Sequence, residues 1–591
     1  MKKKLIARSF LHSCYVPATK ENQNDAVCVS EHLHYDDGSV EPNLRIISNP
    51  MKSFYVTKKA LRQTHTDKKE RESIKNLDKH IVPNKSFFTD AYKILTGNHF
   101  TPNPRKVRDE VLTSPYIYGG DIPIESLVKI KYKKEFEKTN VELAPITVGM
   151  LDTEISINKG SEGALLCFTL THENKIYTAI NQNFMVDYKK GKHIPITEEQ
   201  IKDFSQQTLL PLIKAAFKDN KDLESSKDKL PFEFHYFVSK SEVDMIKWGF
   251  DQIHKNKTTF IGGWNIKFDV EALASILRRN NIDPATVFCP PEVPEGVKYF
   301  KVYEDTKPVD HYTKKWHWFH TASYFQFLDL MALYSRIRLA ETKEYSYKLD
   351  FILRKNNLGG KLHWDELKEV NKSEGSSDWH RIMASRYFKH YVIYNQWDSI
   401  SLQLLEWLNK DINALRILSD YTPIEKYSSQ GARVRDTLYA EWIDNGYVIG
   451  TSSSDMSEEE DENIQKKGGG VLPAYKVEDC GVRLLEENPR ERTQVHVFVS
   501  DADFSQMYPT IMENGNIAKE TKVSTVYEVE GDHIKVDKDR RIERLHSYLI
   551  GWDDNAHHLG VEFLNLPTFQ EVKEQYENYK QTGSIKGHLD E

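Results

Sequence analysis

Short apolar runs bounded by polar residues recur through the middle of the chain, and their length is typical of buried strands. The first run precedes two others that we expect to pair with it as antiparallel neighbours. Apolar residues with helical spacing follow at 270–279 and 387–409. Strands that alternate with helices predict an α/β domain, which we place at residues 146–410. The apolar runs lie at residues 146–151, 164–170, 176–180, 258–264 and 325–333.

The pattern is different on either side of this domain. Residues 1–145 mix short apolar stretches with charged segments, and we predict a β-rich N-terminal domain there. After the α/β domain, residues 424–445 predict a helix, with Pro423 just before its start and Gly446 at its end. Further along, we predict a solvated loop rich in Ser, Asp and Glu, then a buried strand, then a charged helix, at residues 452–462, 495–499 and 568–581.

The composition is that of a globular protein with several domains, because domains usually contain roughly 100–200 residues and the chain has 591. Hydrophobic residues make up 39% and charged residues 29%, so there is apolar material for several cores. The net charge of -7 argues against a basic-tail nucleic-acid binder, although a basic cleft can coexist with an acidic exterior. Acidic residues are also what a protein needs to hold metal ions with carboxylates.

The cysteines and the N-terminus bear on localisation. The five cysteines are far apart and form no Cys-x-x-Cys pair, so we expect neither a zinc nor an iron–sulfur site. A sparse, odd number of cysteines is typical of a reducing compartment. No apolar run approaches the ~20 residues that span a membrane, and the polar residues after the Met1-Lys-Lys-Lys start argue against a signal peptide. We therefore expect a cytoplasmic protein without a membrane partner.

Two carboxylates follow the first apolar run. Asp152 and Glu154 flank Thr153, and residues two apart in a strand point to the same face, so both side chains can meet one metal site. The alternative is a solvated strand edge. The apolar strand immediately before the pair favours the functional interpretation, because it places the acids at the end of a buried strand.

Two further segments carry acids in a similar context. Asp269 follows the apolar run at 258–264, where it either serves a site or only caps the next helix. Tyr394 and Asp398 are four residues apart on a predicted helix and therefore share a face. A buried aspartate is costly unless it has a partner such as a metal ion. The alternative for this pair is a position on the protein surface.

Several carboxylates that converge on one point are what two-metal hydrolysis of a phosphodiester requires. Mg²⁺ prefers oxygen ligands and tolerates bound water, so three or four Asp or Glu residues suffice. The acids of the three segments are Asp152, Glu154, Asp269 and Asp398.

In their order and spacing, these segments resemble the three exonuclease motifs of DNA polymerases in the DEDDy class, which are Asp-x-Glu, Asn-x-x-Phe/Tyr-Asp and Tyr-x-x-x-Asp. The resemblance implies an RNase-H-like domain with 3′→5′ proofreading exonuclease activity. It implies that Asp152, Glu154, Asp269 and Asp398 are metal ligands that hold two Mg²⁺ ions, with Mn²⁺ as a possible substitute. It also implies that Tyr394 orients the attacking water and that Asn265 and Phe268 contact the frayed 3′ strand. The segment Ser346-Tyr-Lys-Leu resembles one that these domains carry between their second and third motifs.

A second motif follows the predicted strand at 495–499. The sequence Asp503-Phe-Ser-Gln-Met-Tyr-Pro is similar to Asp-x-x-Ser-Leu-Tyr-Pro, the first palm motif of family B DNA polymerases, with Gln and Met in place of the commonest Ser and Leu. The resemblance implies that Asp503 binds the catalytic metals. It also implies that Ser505 and Tyr508 contact the incoming nucleotide, whose 2′-OH the tyrosine would exclude. The alternative is that the Tyr-Pro pair only ends a strand.

A glycine run lies between the two sites. Lys466-Lys-Gly-Gly-Gly resembles the glycine-rich element that links exonuclease and polymerase domains and contacts the template. The resemblance implies DNA contacts at Gly469 and Gly470, because glycine lets the backbone approach a phosphate closely. A flexible linker is an equal interpretation of the same residues.

Together, the motifs resemble the family B polymerases of large tailed bacteriophages, some of which are encoded as two polypeptides. The finger motif Lys-x-x-x-Asn-Ser-x-Tyr-Gly and the palm motif Asp-Thr-Asp are absent from the sequence. We therefore expect the N-terminal chain of a split polymerase in viral DNA replication, in the cytoplasm of a host cell. Its expected partners are primer-template and single-stranded DNA, deoxynucleoside triphosphates, a C-terminal polymerase chain and a sliding clamp.

The predicted fold is a multidomain α/β and α+β protein. Two alternatives remain open, a stand-alone 3′→5′ DNA exonuclease with a structural palm remnant and a non-catalytic scaffold that positions DNA. The implied boundaries are 1–145 for the N-terminal domain, 146–410 for the RNase-H-like exonuclease, 411–490 for a return to the N-terminal domain plus a linker, 491–560 for a partial palm and 561–591 for the start of the fingers.

Overall fold

A computed structural model of the chain describes residues 3–451 apart from short gaps, and after them residues 524–529, 534–536, 542–544, 547–552 and 574. The gaps lie at residues 20–21, 65–68, 98–102, 138–144, 190–191, 304–310, 339–343, 365–366, 368–369 and 371–375. The chain divides into two compact units, Met1–Ser454 and Asp455–Glu591.

Strands dominate the N-terminal region, as the sequence predicts. The strands are β1 (Leu5–Val16), β2 (Ala26–Tyr35), β3 (Val40–Ser48), β4 (Met51–Thr57), β5 (Arg71–Ser73), β6 (Leu77–Pro83) and β7 (Ile117–Tyr118), and the helices are α1 (Phe87–Thr96), α2 (Pro104–Thr113) and α3 (Ile124–Lys131). Strands β1, β2 and β3 form one antiparallel sheet, and β4 lies between β6 and β7 in another. Helices α1 and α2 pack on the second sheet through Phe87 and Val111, which share a core with Phe54.

A six-stranded mixed sheet is the centre of the following region. The strands there are β8 (Val148–Ile155), β9 (Leu165–His172), β10 (Lys175–Asn181), β11 (Val186–Lys189), β12 (Lys192–Pro195), β13 (Glu233–Ser239), β14 (Phe260–Gly263), β15 (Phe300–Tyr303), β16 (Trp318–Thr321) and β17 (Gln326–Asp329). The order in the sheet is β13-β10-β9-β8-β14-β17. Strand β9 pairs antiparallel with β8, which confirms the first predicted neighbour. Strand β10 pairs antiparallel with β9 and not with β8, so the second predicted neighbour is wrong, because a hairpin places each strand next to the one just before it. Strand β14 runs parallel to both β8 and β17.

Helices cover both faces of this sheet. They are α4 (Glu198–Asp219), α5 (Glu242–Asn256), α6 (Lys267–Arg279), α7 (Pro284–Phe288), α8 (Leu330–Ile337), α9 (Leu349–Lys355), α10 (Ser377–Arg386), α11 (Phe388–Asn409) and α12 (Asp411–Leu418). The next helix, α13 (Gln430–Asp444), packs with the N-terminal strands instead, where Tyr439 shares a core with Tyr55 and Tyr118. Alternate residues of β8 divide between the faces, because side chains in a strand point to opposite sides. Met150 packs in the core that contains α11, and Leu151 packs in the core that contains α5 and α6.

The predicted helix at 424–445 begins later than expected. A 3₁₀ turn at Ile424–Lys426 follows Pro423, and α13 starts only after Ser429, whose hydroxyl accepts a hydrogen bond from a backbone N–H of the first helical turn. Such an acceptor satisfies one of the free N–H groups at a helix start, which makes serine a stronger start signal than the proline six residues earlier. The predicted end is confirmed, since Gly446 follows the helix with φ +81°, a conformation that favours glycine.

The apolar run at 325–333 contains two elements rather than one. It divides into β17 and the start of α8 at Asp329, whose carboxylate accepts hydrogen bonds from the backbone N–H groups of Met331 and Ala332, each at 3.1 Å. The aspartate is therefore the helix N-cap, a boundary signal within an otherwise apolar stretch.

The chain after α13 returns to the N-terminal strands. Strand β18 (Tyr447–Ile449) pairs antiparallel with β5. In the second unit, β19 (Ser524–Val529) pairs antiparallel with β22 (Ser547–Trp552), and β20 (Ile534–Val536) with β21 (Ile542–Arg544). The segments predicted at 452–462 and 495–499, and all of 568–581 except residue 574, lie outside the described residues. In the part of the chain that the structure describes, no helix has the length and apolarity to cross a membrane.

Candidate active site

Asp152 and Glu154 lie in strand β8 itself. The strand runs through both acids and ends at Ile155, so the acids lie at its end as predicted. Both have the same alternation as Met150 and therefore face α11. There the Asp152 carboxylate accepts a hydrogen bond from Asn395 Nδ2 at 2.6 Å, and the Glu154 carboxylate accepts one from the Tyr391 hydroxyl. The predicted shared face is thus confirmed, and it is not a solvated edge.

Asp269 lies in the first turn of α6 and does not cap that helix. The N-cap is Ile266, and the Asp269 carboxylate is directed to strand β8 instead. Its Oδ1 accepts hydrogen bonds from the backbone N–H and the hydroxyl of Thr153, at 2.9 and 2.7 Å. Because Thr153 lies between Asp152 and Glu154, these bonds fix Asp269 next to the first two acids.

Tyr394 and Asp398 are interior residues of α11. Their exposed fractions are 6% and 3%, so the alternative of a surface pair is wrong. One helical turn separates them, and both side chains meet a single cation, Lys361. Burial of an acid on this helix follows from its position, since α11 is buried along most of its length between the sheet and its neighbouring helices.

One cavity of about 740 Å³ brings these groups together. It lies where β8 ends and where α6 begins after β14, since these two elements carry three of the acids. The segment around Lys348 forms another wall of the cavity. Every site residue predicted within the α/β domain lines it, namely Asp152, Glu154, Asn265, Phe268, Asp269, Tyr394 and Asp398.

The environment of the cavity disfavours the ionised form of its acids and raises their pKa values. Burial, then the like charges of Asp398 and Asp269, raise the pKa of Asp152 well above its ordinary value. Burial raises the pKa of Glu154 to about 8, despite the hydrogen bond from Tyr391, and that of Asp269 to about 7. Carboxylates that repel one another in a buried site favour an occupant of high positive charge.

Lys361 is a residue of the site that the sequence analysis did not predict. Its Nζ lies 2.6 Å from both the Tyr394 hydroxyl oxygen and Asp398 Oδ2. Burial lowers the pKa of this ammonium, but the charge and hydrogen-bond interactions with Asp398 and Tyr394 together outweigh burial and hold the pKa well above its ordinary value. Conversely, burial raises the pKa of Asp398 and the ion pair with Lys361 opposes that rise.

A tight turn delivers Lys361 to the site. The backbone of Gly360 has φ +99°, and a Cβ at this position would lie 2.6 Å from Asp350 Oδ1. That same oxygen accepts a hydrogen bond from the Lys361 backbone N–H at 2.8 Å, and the Arg354 guanidinium holds the other oxygen at 2.9 Å. The sequence does contain a signal for this turn, the two glycines just before Lys361. A pair of glycines indicates a tight turn, because glycine adopts backbone conformations that other residues rarely adopt.

The donor set of the cavity fits divalent cations. Asp398 Oδ1 is buried without a hydrogen-bond donor, and each of the four acids is raised in pKa by burial. Across the described residues, no group of three or more His, Cys, Asp or Glu side chains is arranged so that it could hold a metal ion. Lys361, Tyr391 and Asn395 each bond one of the acids.

The remaining predicted site residues lie outside the described residues, so their predictions stay predictions. These residues are Gly469, Gly470, Asp503, Ser505 and Tyr508. Comparison of the chain with the models of known protein families gave no match, and comparison with curated proteins gave none either. The functional argument therefore rests on the cavity and on the motifs that line it.

Neutralising one acid of this cluster is expected to stabilise the metal-free protein. Asp152→Asn removes a charge that burial and its acidic neighbours destabilise, and it keeps an oxygen that can accept the bond from Asn395. We expect the Tm in EDTA at pH 8 to rise by about 2–4 °C. The exposed Asp203→Asn is the matched control, for which no rise is expected.

The pH dependence has a definite sign. In the folded protein the pKa of Glu154 is raised from 4.5 to about 8, and that of Asp269 from 3.8 to about 7. The unfolded chain therefore loses these protons at lower pH than the folded protein, so the wild type loses stability as the pH rises from about 4 to about 8. The gain from Asp152→Asn should therefore be larger at pH 8 than at pH 5, measured by differential scanning calorimetry. If Asp152→Asn were less stable than wild type at pH 8, repulsion among the acids of the cavity would not be what destabilises the metal-free protein.

Proposed function

We propose that this chain is a two-metal 3′→5′ DNA exonuclease of the DEDDy type, the proofreading part of a family B DNA polymerase. The observation that carries the proposal is the convergence of three distant segments on one cavity. Asp152 and Glu154 come from β8, Asp269 comes from the first turn of α6, and Tyr394 and Asp398 come from α11. Glu154, Asp269 and Asp398 are buried and Asp152 is partly buried, and a surface or structural role would not require four acids to meet in this way.

The cavity residues divide by task. The carboxylates of Asp152, Glu154, Asp269 and Asp398 would hold two Mg²⁺ or Mn²⁺ ions, which stabilise the attacking and leaving oxygens of phosphodiester hydrolysis. The Tyr394 hydroxyl, held at 2.6 Å by Lys361, is a fixed group that can orient a water molecule. Lys361 itself provides a positive charge next to the position of a scissile phosphate.

Two further cavity residues suit a nucleic-acid strand. The Phe268 ring is 59% exposed, and an exposed ring at the wall of a polar cavity offers a base a stacking surface. Asn265 is exposed as well, and its φ of +64° lies in the left-handed region. These positions support contacts to an unpaired 3′ end rather than to a duplex.

The fold agrees with the RNase-H-like domain in this proposal. Three sequential antiparallel strands, β8, β9 and β10, form the middle of the sheet, and β14 and β17 extend it in parallel on the β8 side. Strand β13 is an additional strand that pairs parallel with β10 on the other side. Parallel additions need crossover connections, and here these contain helices that cover the sheet. The acids are close to the end of β8, next to the helix that follows β14.

The polymerase part of the proposal rests on sequence alone. The Asp503 motif supports a first palm carboxylate, and a C-terminal chain would supply the remaining palm, fingers and thumb together with the triphosphate site. Under this proposal the chain acts in viral DNA replication in the host cytoplasm, and a sliding clamp is a further partner. The intact set of buried acids favours an enzyme over a non-catalytic scaffold.

A direct assay tests the exonuclease. The full chain is incubated with 5′-labelled single-stranded DNA and Mg²⁺, or Mn²⁺ in a parallel reaction. We expect a ladder of products shortened from the 3′ end, and we expect EDTA to prevent it. Binding of the oligonucleotide without any shortening in either metal would support the scaffold and overturn the proposal.

A further inference from the structure

Glu154 is held by two aromatic side chains that the proposed hydrolysis does not use. The Tyr391 hydroxyl bonds Glu154 Oε2, and His380 Nδ1 lies 2.7 Å from the same hydroxyl oxygen and 3.8 Å from Oε2. Both rings line the cavity. Tyr391 belongs to α11 and His380 to α10, so the two helices meet at the carboxylate.

The direction of these hydrogen bonds follows from the chemistry of the groups. A carboxylate that binds a metal ion is ionised and can only accept, so the Tyr391 O–H donates to Glu154. The tyrosine oxygen then has only lone pairs to offer, so His380 must donate to it from Nδ1. The donors are thus ordered from His380 to Tyr391 to Glu154. The Tyr391 hydroxyl makes one bond as acceptor and one as donor, and the two bonds fix its orientation.

The supporting helix α10 is anchored to the same site. Trp379, the neighbour of His380, is buried with its ring 4.9 Å from the ring of Tyr394. Tyr391 and Tyr394 are three residues apart and lie on one face of α11. The packing that fixes the water-orienting tyrosine of the proposed site therefore also fixes the position of His380.

We propose that His380 and Tyr391 are positioning residues. They hold Glu154 Oε2 in a hydrogen bond within the protein, so that Oε1 is the oxygen left to bind metal. This inference rests on the proposed exonuclease function. The terminal torsion of a glutamate is soft, and a carboxylate without such a bond can rotate away from the geometry that a metal ion needs. Hydrogen-bond partners of metal ligands commonly change metal affinity or activity by about 10–100-fold when they are removed.

The pair is expected to act on metal affinity more than on the chemical step. For Tyr391→Phe, the Mg²⁺ concentration at half-maximal rate should rise about tenfold, while the rate at saturating Mg²⁺ stays within about threefold of wild type. His380→Ala should raise that concentration less, because Tyr391 keeps its bond to Glu154. His380→Asn, which can still donate to the tyrosine, should restore the wild-type value.

A double variant tests whether His380 acts through Tyr391 or independently of it. If His380 acts through Tyr391, then Tyr391→Phe/His380→Ala should match Tyr391→Phe alone rather than combine both changes. Tyr177→Phe is the matched control, since its hydroxyl is also partly buried and lies 2.9 Å from Asn256 Nδ2, but Tyr177 does not line the described cavity. A Tyr391→Phe variant with an unchanged Mg²⁺ requirement would overturn the inference.

Failure of the proposed function is distinguishable from failure of this inference. If the wild-type chain releases no nucleotide, the exonuclease proposal is wrong. In that case, titration calorimetry with Mn²⁺ on the same variants still tests the pair. Weaker Mn²⁺ binding in Tyr391→Phe and its retention in Tyr177→Phe would uphold the positioning role. Equal binding in all variants, or no binding by the wild type, would reject it. If Tyr391→Phe does not fold, weaker Mn²⁺ binding in His380→Ala than in His380→Asn provides the same test.

Discussion

Asp398→Ala is expected to lower the rate of 3′-terminal nucleotide release by at least about a thousandfold. Asp398 contributes the buried oxygen that has no hydrogen-bond donor, and it is the partner of Lys361. Its removal deprives the proposed metal site of a ligand and leaves the lysine charge directed at an empty position. The measurement is single-turnover digestion of 5′-labelled single-stranded DNA with saturating enzyme and Mg²⁺.

Further variants of the same cluster make this prediction specific. The double variant Asp152→Ala/Glu154→Ala should show a loss of similar size, since the two acids share one face of β8. The matched control is Asp203→Ala, an exposed acid of α4 outside the cavity, which should digest DNA at the wild-type rate. Circular dichroism should give unchanged secondary structure for all of them. Wild-type digestion by the double variant would show that the site assignment is wrong.

Sequence patterns predicted the sheet where the physical signal was strong. The runs at 146–151, 164–170 and 176–180 are apolar on both faces, as buried strands covered by helices must be, and they form β8, β9 and β10. The two-residue spacing of Asp152 and Glu154 was sufficient to place both acids on one face. Boundaries were less certain, because a strand with buried acids has no polar signal at its end.

The sequence could not give the groups that complete the site. Lys361 reaches Asp398 from a loop, and loop residues follow no periodicity that would indicate which way they point. His380 contacts Tyr391 only because α10 packs against α11, a tertiary contact with no local signature. Tyr391 did have a signal, since it lies three residues before Tyr394 on the same helical face, but that spacing is equally typical of core packing.

The charge balance of the cavity explains why a lysine belongs there. Four carboxylates that share one cavity in a metal-free protein repel one another, and the Lys361 ammonium relieves part of this repulsion by pairing with Asp398. The lysine also bonds Tyr394, so it links an acid of the cluster to the hydroxyl proposed to orient water. A residue that both balances charge and fixes the tyrosine should be sensitive to small changes in shape.

Lys361→Ala is therefore expected to slow hydrolysis by about tenfold to a hundredfold at saturating Mg²⁺. The variant frees the Tyr394 hydroxyl, so the tyrosine no longer holds one orientation, and it removes the positive charge beside the phosphate. Lys361→Arg should recover little of the rate, because a planar guanidinium does not reproduce the two 2.6 Å contacts of a compact ammonium. The measurement is the same single-turnover digestion.

Two controls separate a catalytic contribution from lost stability. Lys348→Ala removes a lysine from the wall of the same cavity and should change the rate by less than about threefold, since Lys348 bonds neither Tyr394 nor Asp398 among the described contacts. Lys361→Ala/Tyr394→Phe should be no slower than the slower single variant, because the lysine acts largely through the tyrosine. An additive loss in that double variant would assign Lys361 a role independent of Tyr394, and a wild-type rate for Lys361→Ala would remove it from the site.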